Sequence, residues 1–167
     1  MNTKKDIKKL LDDLENDDIN VRNIVRRQLA SIGPEVVPDL IIQLKTDRER
    51  CRWEAAKILG EIRDESAVEA LVEALLDNSI SVHWAATEAL INYGRGAILP
   101  TLEGITRHFD SMRFRQGAYH ILHVLERFLH LDPHVQDVLE ALRSIQPSVS
   151  APWAAERAIE YLKFQKK

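Results

Sequence analysis

Apolar residues recur along this chain at helical spacing, not in the alternation of a strand. Counting from Val21, Cys51, Val82, Phe114 and Ala151, the residues at offsets 0, 4, 7, 8 and 11 read Val-Val-Gln-Leu-Ile, Cys-Ala-Ile-Leu-Ile, Val-Ala-Ala-Leu-Tyr, Phe-Ala-Ile-Leu-Leu and Ala-Ala-Ala-Ile-Leu. One apolar stripe of an α-helix is therefore written five times. Small residues beside it (Ala55, Ala86, Gly117, Ala118, Ala154 and Ala155) let neighbouring helices approach closely. A shorter amphipathic segment precedes each stripe, which predicts companion helices over Thr3–Asn16, Pro34–Lys45, Glu65–Leu76, Arg95–Arg107 and Asp132–Ser144. Gly33, Gly60 and Gly94 stand near the ends of the alanine-rich helices, where glycine caps easily. Pro34 suits a first helical position and Pro38 a first turn.

The expectation is an all-α protein of about five helix pairs, near residues 3–32, 34–62, 65–93, 95–129 and 132–163, in a single domain spanning 1–167. No pair can bury its stripe alone, so the pairs must stack as a solenoid.

The pattern of an aspartate, then "VR", then alanine and leucine on short paired helices resembles the HEAT repeat, in particular the HEAT-like type named after phycobilisome lyases. The resemblance is most specific over Asp17–Ile105 and looser from Thr106, where the fourth long helix extends through Leu129. It implies a right-handed superhelix with the "VR" helices lining its concave side. The arginine of the pattern falls on Arg22, Arg52 and Arg115, with His83 and Pro152 as departures. The aspartate falls on Asp17 or Asp18, Asp47, Asp77 and Asp110. Such aspartates cap helices or pair with an arginine of the same or next repeat.

All three tryptophans, Trp53, Trp84 and Trp153, occupy offset 2. At about 100° per residue this position lies about 175° from the centre of the apolar stripe, so it points away from the core. Offsets 6 and 9 share that outer line and are mostly polar. Aromatic residues on a solvated line are candidate contacts, since tryptophan combines flat apolar area with an N–H donor. The competing reading is that they cover loops or pack between repeats. The expected groove residues are Trp53, Lys57, Trp84, Glu88, Gln116, His120 and Trp153.

Composition narrows the chemistry. A net charge of −3 gives no overall attraction to nucleic acid or anionic membrane. The outer line mixes Arg27, Lys57, Glu88, His120, Arg157 and Glu160, which argues against the duplex-DNA role of a HEAT-like glycosylase branch. No apolar run is long enough to span a bilayer and no signal peptide is legible at the N-terminus, so the expected location is cytoplasmic. The one cysteine, Cys51, reads as a small core residue. His120, His123 and Glu126 have a spacing that can share a metal, but a full ligand set is not evident. The di-iron branch of HEAT-like proteins, deoxyhypusine hydroxylase, carries His-Glu pairs where this chain has Trp53-Glu54 and Trp84-Ala85. No phosphate loop or nucleophile elbow occurs, so nothing commits the chain to catalysis, and no cofactor or metal is assigned. The reading is an interaction module for a protein or peptide, with no membrane partner. The alternative is a lyase- or chaperone-like accessory protein that handles a bilin or other cofactor. The oligomeric state is not legible.

Overall fold

The computed structural model describes residues 4–165; Thr3, the expected start of the first helix, lies outside them. The chain is an α-solenoid, and among the described residues there is no strand. Its helices are α1 (Lys4–Asp13), α2 (Ile19–Ile32), α3 (Val37–Gln43), α4 (Glu49–Ile62), α5 (Val68–Glu73), α6 (Ile80–Asn92), α7 (Arg95–Arg107), α8 (Met112–Phe128), α9 (Pro133–Arg143) and α10 (Pro147–Gln165). Short 3-10 turns precede α3 and flank α5. The even-numbered helices are the five alanine-rich segments of the sequence, and the odd-numbered ones are their companions.

The repeated stripe forms the core. Val25 and Leu29, Ala55, Ile58 and Leu59, Ala86, Ala89 and Leu90, and Ala118, Ile121 and Leu122 are all buried. Helix α2 packs on α4, α4 on α6, and α6 on α8, so the even-numbered helices form one continuous layer. Glycine sets how closely they approach. Gly60 lies inside α4 instead of ending it, and a Cβ there would sit 2.8 Å from Ala89 Cα. The left-handed end of α4 is taken by Arg63, with φ of 57°. A Cβ on Gly117 would meet the His83 ring at 3.0 Å. Gly104 of α7 leaves room for Phe114, whose ring would lie 2.3 Å from an added Cβ.

The last pair breaks the order. Helix α9, not α10, packs on α8, while α10 packs on α7 and α9, with Lys163 Nζ 2.7 Å from Glu103 Oε1. The two members of this pair have exchanged layers relative to the first four. The stretch in which this occurs has the longest repeat spacing, 37 residues, and its α8 is several residues longer than α4 or α6. A longer α8 carries the chain farther before it turns, so α9 lies back along α8.

Polar latches hold the turns. At offset 1, Arg22 donates to the carbonyls of Asn16 (2.6 Å) and Asp17 (3.0 Å). Arg52 donates to Thr46 O at 2.9 Å, and Arg115 to Phe109 O. His83 replaces arginine and donates from Nδ1 to Leu75 O at 2.9 Å. Arg52 also reaches the next repeat, donating to both carboxylate oxygens of Asp77 at 2.7 and 3.0 Å. The expected capping is divided differently. Asp18, Ser79 and Ser111 cap α2, α6 and α8, whereas Arg48 and Ser111 stand at the cap positions that follow Asp47 and Asp110.

Two predictions follow from this packing. Gly60→Ala, which drives a methyl group into the Ala89 backbone, should cost about 1–3 kcal/mol. Gly96→Ala in α7 meets nothing within 4 Å and should stabilise by about 0.4–1 kcal/mol; denaturant midpoints of both variants check the contrast. The second concerns Asp77. Burial pushes its carboxyl up, but the Arg52 guanidinium, the Ser79 N–H and the charges of Arg52 and Arg113 outweigh burial and hold it below the usual range. A depressed folded value means that the stabilisation is complete above the unfolded value, about 4, and is lost as pH falls through the lower folded one. Asp77→Asn should therefore cost roughly 1.5–3 kcal/mol at neutral pH. The gap to wild type should narrow on acidification, as measured by urea melts across pH.

Candidate interaction surface

The outward face of the even-numbered helices is built from offsets −2, 2 and 6, which lie one above the other at helical spacing. Trp53, on α4, is half-buried, with two cations close to its ring. The Arg26 guanidinium carbon lies 5.2 Å and Lys57 Nζ 5.8 Å from its centroid. Lys57 also donates to Glu88 on α6 at 3.2 Å. Trp84, on α6, is 39% exposed. Its ring meets the edge of His83 at 5.0 Å and of His120, on α8, at 5.2 Å. Gln116 is exposed at the matching position of α8, and His120 is partly exposed.

Six of the seven expected residues thus lie on three successive helices. Trp53, Lys57 and Glu88 form one connected group, and Trp84 with His120 forms another. Trp153 does not join them. It is 66% exposed on α10, the helix that has moved beside α7, and it belongs with Ile145 and Val149 in a separate apolar stripe. The exchange of layers in the last pair is the cause, and the helical wheel has no access to it.

Sequence reasoning also passed over offset −2. It carries Ile19, Ile80, Met112 and Val149, all more than half exposed, with Glu49 as the exception. Reading one turn back from each tryptophan position exposes this row. On α6, Ile80 and Trp84 make the apolar end of the face and Glu88 its charged end. Between Trp53 and the first turn of α6 lies an open depression of about 550 Å³ lined by Glu49, Arg50, Trp53 and Ser81.

The next residue along α4, Glu54, points inward. Its carboxylate is fully buried and sits between two arginines of α2, with Arg26 Nη2 at 2.7 Å and Arg22 Nε at 3.4 Å. Trp53 and Glu54 occupy the two positions that resemble the His-Glu pair of the di-iron branch, and here they form an outward ring and an interhelix ion triad. His120 and His123 are held by different neighbours. His120 touches Trp84, while His123 stacks on Tyr119 at 5.5 Å and lies 3.3 Å from Arg143 Nη2. Among the described residues no three His, Cys, Asp or Glu gather as a metal site. Cys51 is buried at the core, and burial first, then Glu15, pushes its thiol up to about 11. A thiol so rarely ionised is a poor nucleophile. Tyr93 is pushed up to about 12 by burial and by Asp64, and its hydroxyl donates to the carbonyls of Leu59 and Asp64. Its role is to tie the turn after α4.

These features define a helical-repeat protein with an outward aromatic row. A family model for HEAT repeats matches residues 7–91, just over half of the chain, and the chain belongs to the HEAT repeat family. The matched span starts in α1 and ends in α6, short of the exchanged pair. Among solved structures, the chain is similar to one in the complex of CpcE and CpcF of phycocyanin lyase from Nostoc sp. PCC7120. The TM-score is 0.62 at 20% identity, covering 91% of this chain and 96% of that one. At this identity the likeness shows the fold. An engineered protein aligns at 22% identity and a TM-score of 0.42, over 95% of this chain and 81% of that one. No curated protein matches. Among the described residues no helix is long and apolar enough to cross a membrane.

The placement of Trp84 yields a stability contrast. Leu90→Ala, at a fully buried position, should cost about 2–5 kcal/mol. Trp84→Ala should cost clearly less, because part of its ring already contacts water. Equal losses in denaturant melts would make Trp84 a core residue.

Proposed function

We propose that this protein is a non-enzymatic interaction module of the cytoplasm that binds a protein or peptide segment across the outward row of α4, α6 and α8. On HEAT geometry this row faces the inside of the curve. The observation that carries the reading is the exposed Trp84 ring next to Ile80, with Trp53 on one side and His120 on the other. Exposed apolar surface of this kind is costly to keep without a contact to make. Trp53 and Trp84 act as anchors, while Lys57, Glu88, Gln116 and His120 orient the ligand. The charges act mainly on association rate and salt dependence.

A second reading draws on the structural neighbour, which is part of a phycocyanin lyase. In it, the same row holds a bilin or other flat cofactor for delivery to a protein. The two readings separate readily, because mixing the chain with a free bilin changes the visible absorbance only under the second. The test of the first is the double variant Trp53→Ala/Trp84→Ala. Host proteins retained by the wild-type chain are purified and titrated against both forms. The double variant should bind more weakly by about 1–4 kcal/mol per anchor, and unchanged affinity sinks the aromatic row as the contact surface.

A further inference from the structure

On the reading of the aromatic row as the contact surface, we propose that the bound segment is acidic and sets one apolar side chain in a pocket just beyond the row, between α8 and the α9–α10 junction. This pocket lies within the stack, walled by two successive repeats. Helix α8 supplies Met112, Arg115, Gln116 and Tyr119, the end of α9 supplies Leu142, and the start of α10 supplies Pro147. Met112 and Gln116 are exposed and stand at the same offsets as Ile80 and Trp84 of α6, so the pocket is continuous with the row. The exchanged last pair builds it. Because α9 packs on α8, the row meets a wall there in place of a further outward ring. The volume is about 300 Å³, at the lower end of the range for small-molecule sites, about 300–1,000 Å³. A space of that size suits one bulky side chain.

Charge decides the sign of the partner. Helices α2, α4, α6 and α8 together are net basic in a chain whose net charge is −3. Helix α2 carries Arg22, Arg26 and Arg27 and no acidic residue, and α8 carries Arg113, Arg115 and Arg127 against Glu126. The carboxylates of this layer are already engaged. Glu54 is shared by Arg22 and Arg26, Glu88 is paired with Lys57, and Glu49 accepts from Ser79 Oγ at 2.6 Å. In the turn before α6, Asp77 is bonded to Arg52 and lies in the field of Arg113. Arg115 is the charged residue of the pocket lining. Its guanidinium donates to Phe109 O, and among the described residues no carboxylate lies within ion-pair distance of it. A carbonyl partner leaves that positive charge uncompensated and most of its N–H donors unused. A carboxylate next to the seated apolar side chain supplies the missing charge through charge-assisted hydrogen bonds, which are about twice as strong as neutral ones. A basic segment brings like charge to the same place.

The experiment titrates the full chain into short fluorescent peptides of Glu, Leu and Phe, and into the same peptides with Lys in place of every Glu, read by anisotropy. The acidic peptides should bind about tenfold or more tightly than the basic ones, and added salt should weaken them. Met112→Glu, at an exposed position, and Arg115→Gln should each weaken the acidic peptides about tenfold, with helical circular dichroism retained. In NMR spectra of the wild-type chain, the Tyr119 ring and Leu142 methyl signals should shift as acidic peptide is added. Met112→Glu and these shifts keep the test decisive if Arg115→Gln fails to fold. Equal or tighter binding of the basic peptides, or no binding of the acidic ones, overturns the proposal. So does displacement of the acidic peptides by duplex DNA at matched charge concentration, which would make the face a general polyanion site. If Trp53→Ala/Trp84→Ala abolishes binding while Met112→Glu leaves it unchanged, the pocket fails and the row stands. If Met112→Glu abolishes it while the double tryptophan variant leaves it unchanged, the row fails.

Discussion

The close approach of successive even-numbered helices governs the rest of this structure. Where α4 meets α6, Gly60 and Ala89 leave no room for a methyl group, and the two backbones come into near contact. Where α6 meets α8, Gly117 makes the same allowance for a buried histidine. Dispersion contacts fall off steeply with distance, so small residues at these seams stabilise by letting the larger Leu59, Leu90 and Leu122 interdigitate beyond them. The stripe alone would make a helix sticky. The small residues make it stack in one register.

Polar groups at the seams follow the same logic. Glu54, His83 and Thr87 are each held by a neighbour in sequence or by the adjacent repeat. Arg52 joins its own turn to Asp77 of the next, and Tyr93 closes the turn after α4 through two carbonyls. The Arg22–Glu54–Arg26 triad replaces apolar packing between α2 and α4. Removing one partner of such a group leaves a buried charge without compensation, which costs more than the net contribution of the intact group. The outward face carries none of these constraints. Its residues are free to be chosen for contact, and that is where the tryptophans and the apolar row at the first helical turn appear.

HEAT stacking places equivalent positions of successive helices side by side, so a repeated side chain becomes a row. Here the row runs from the cation-flanked Trp53 through Ile80 and Trp84 to His120. It stops at α8, because the last pair turns its layers about and sends Trp153 elsewhere.

Much of this was legible in the sequence. A helix has one period, and five copies of one stripe determine which residues are buried and where each helix lies, because burial of apolar area and helical geometry are local in register. The outward direction of Trp84 follows from the same arithmetic, as does the burial of Cys51. Other features depend on which helix lies next to which. The inward ion triad of Glu54 needs α2 beside α4. The role of Gly60 as a contact rather than a cap needs Ala89 opposite it. The separation of Trp153 from Trp53 and Trp84 needs α10 to settle on α7. Those neighbours are chosen by the length of α8 and the packing of the whole stack, and no single helix carries that information.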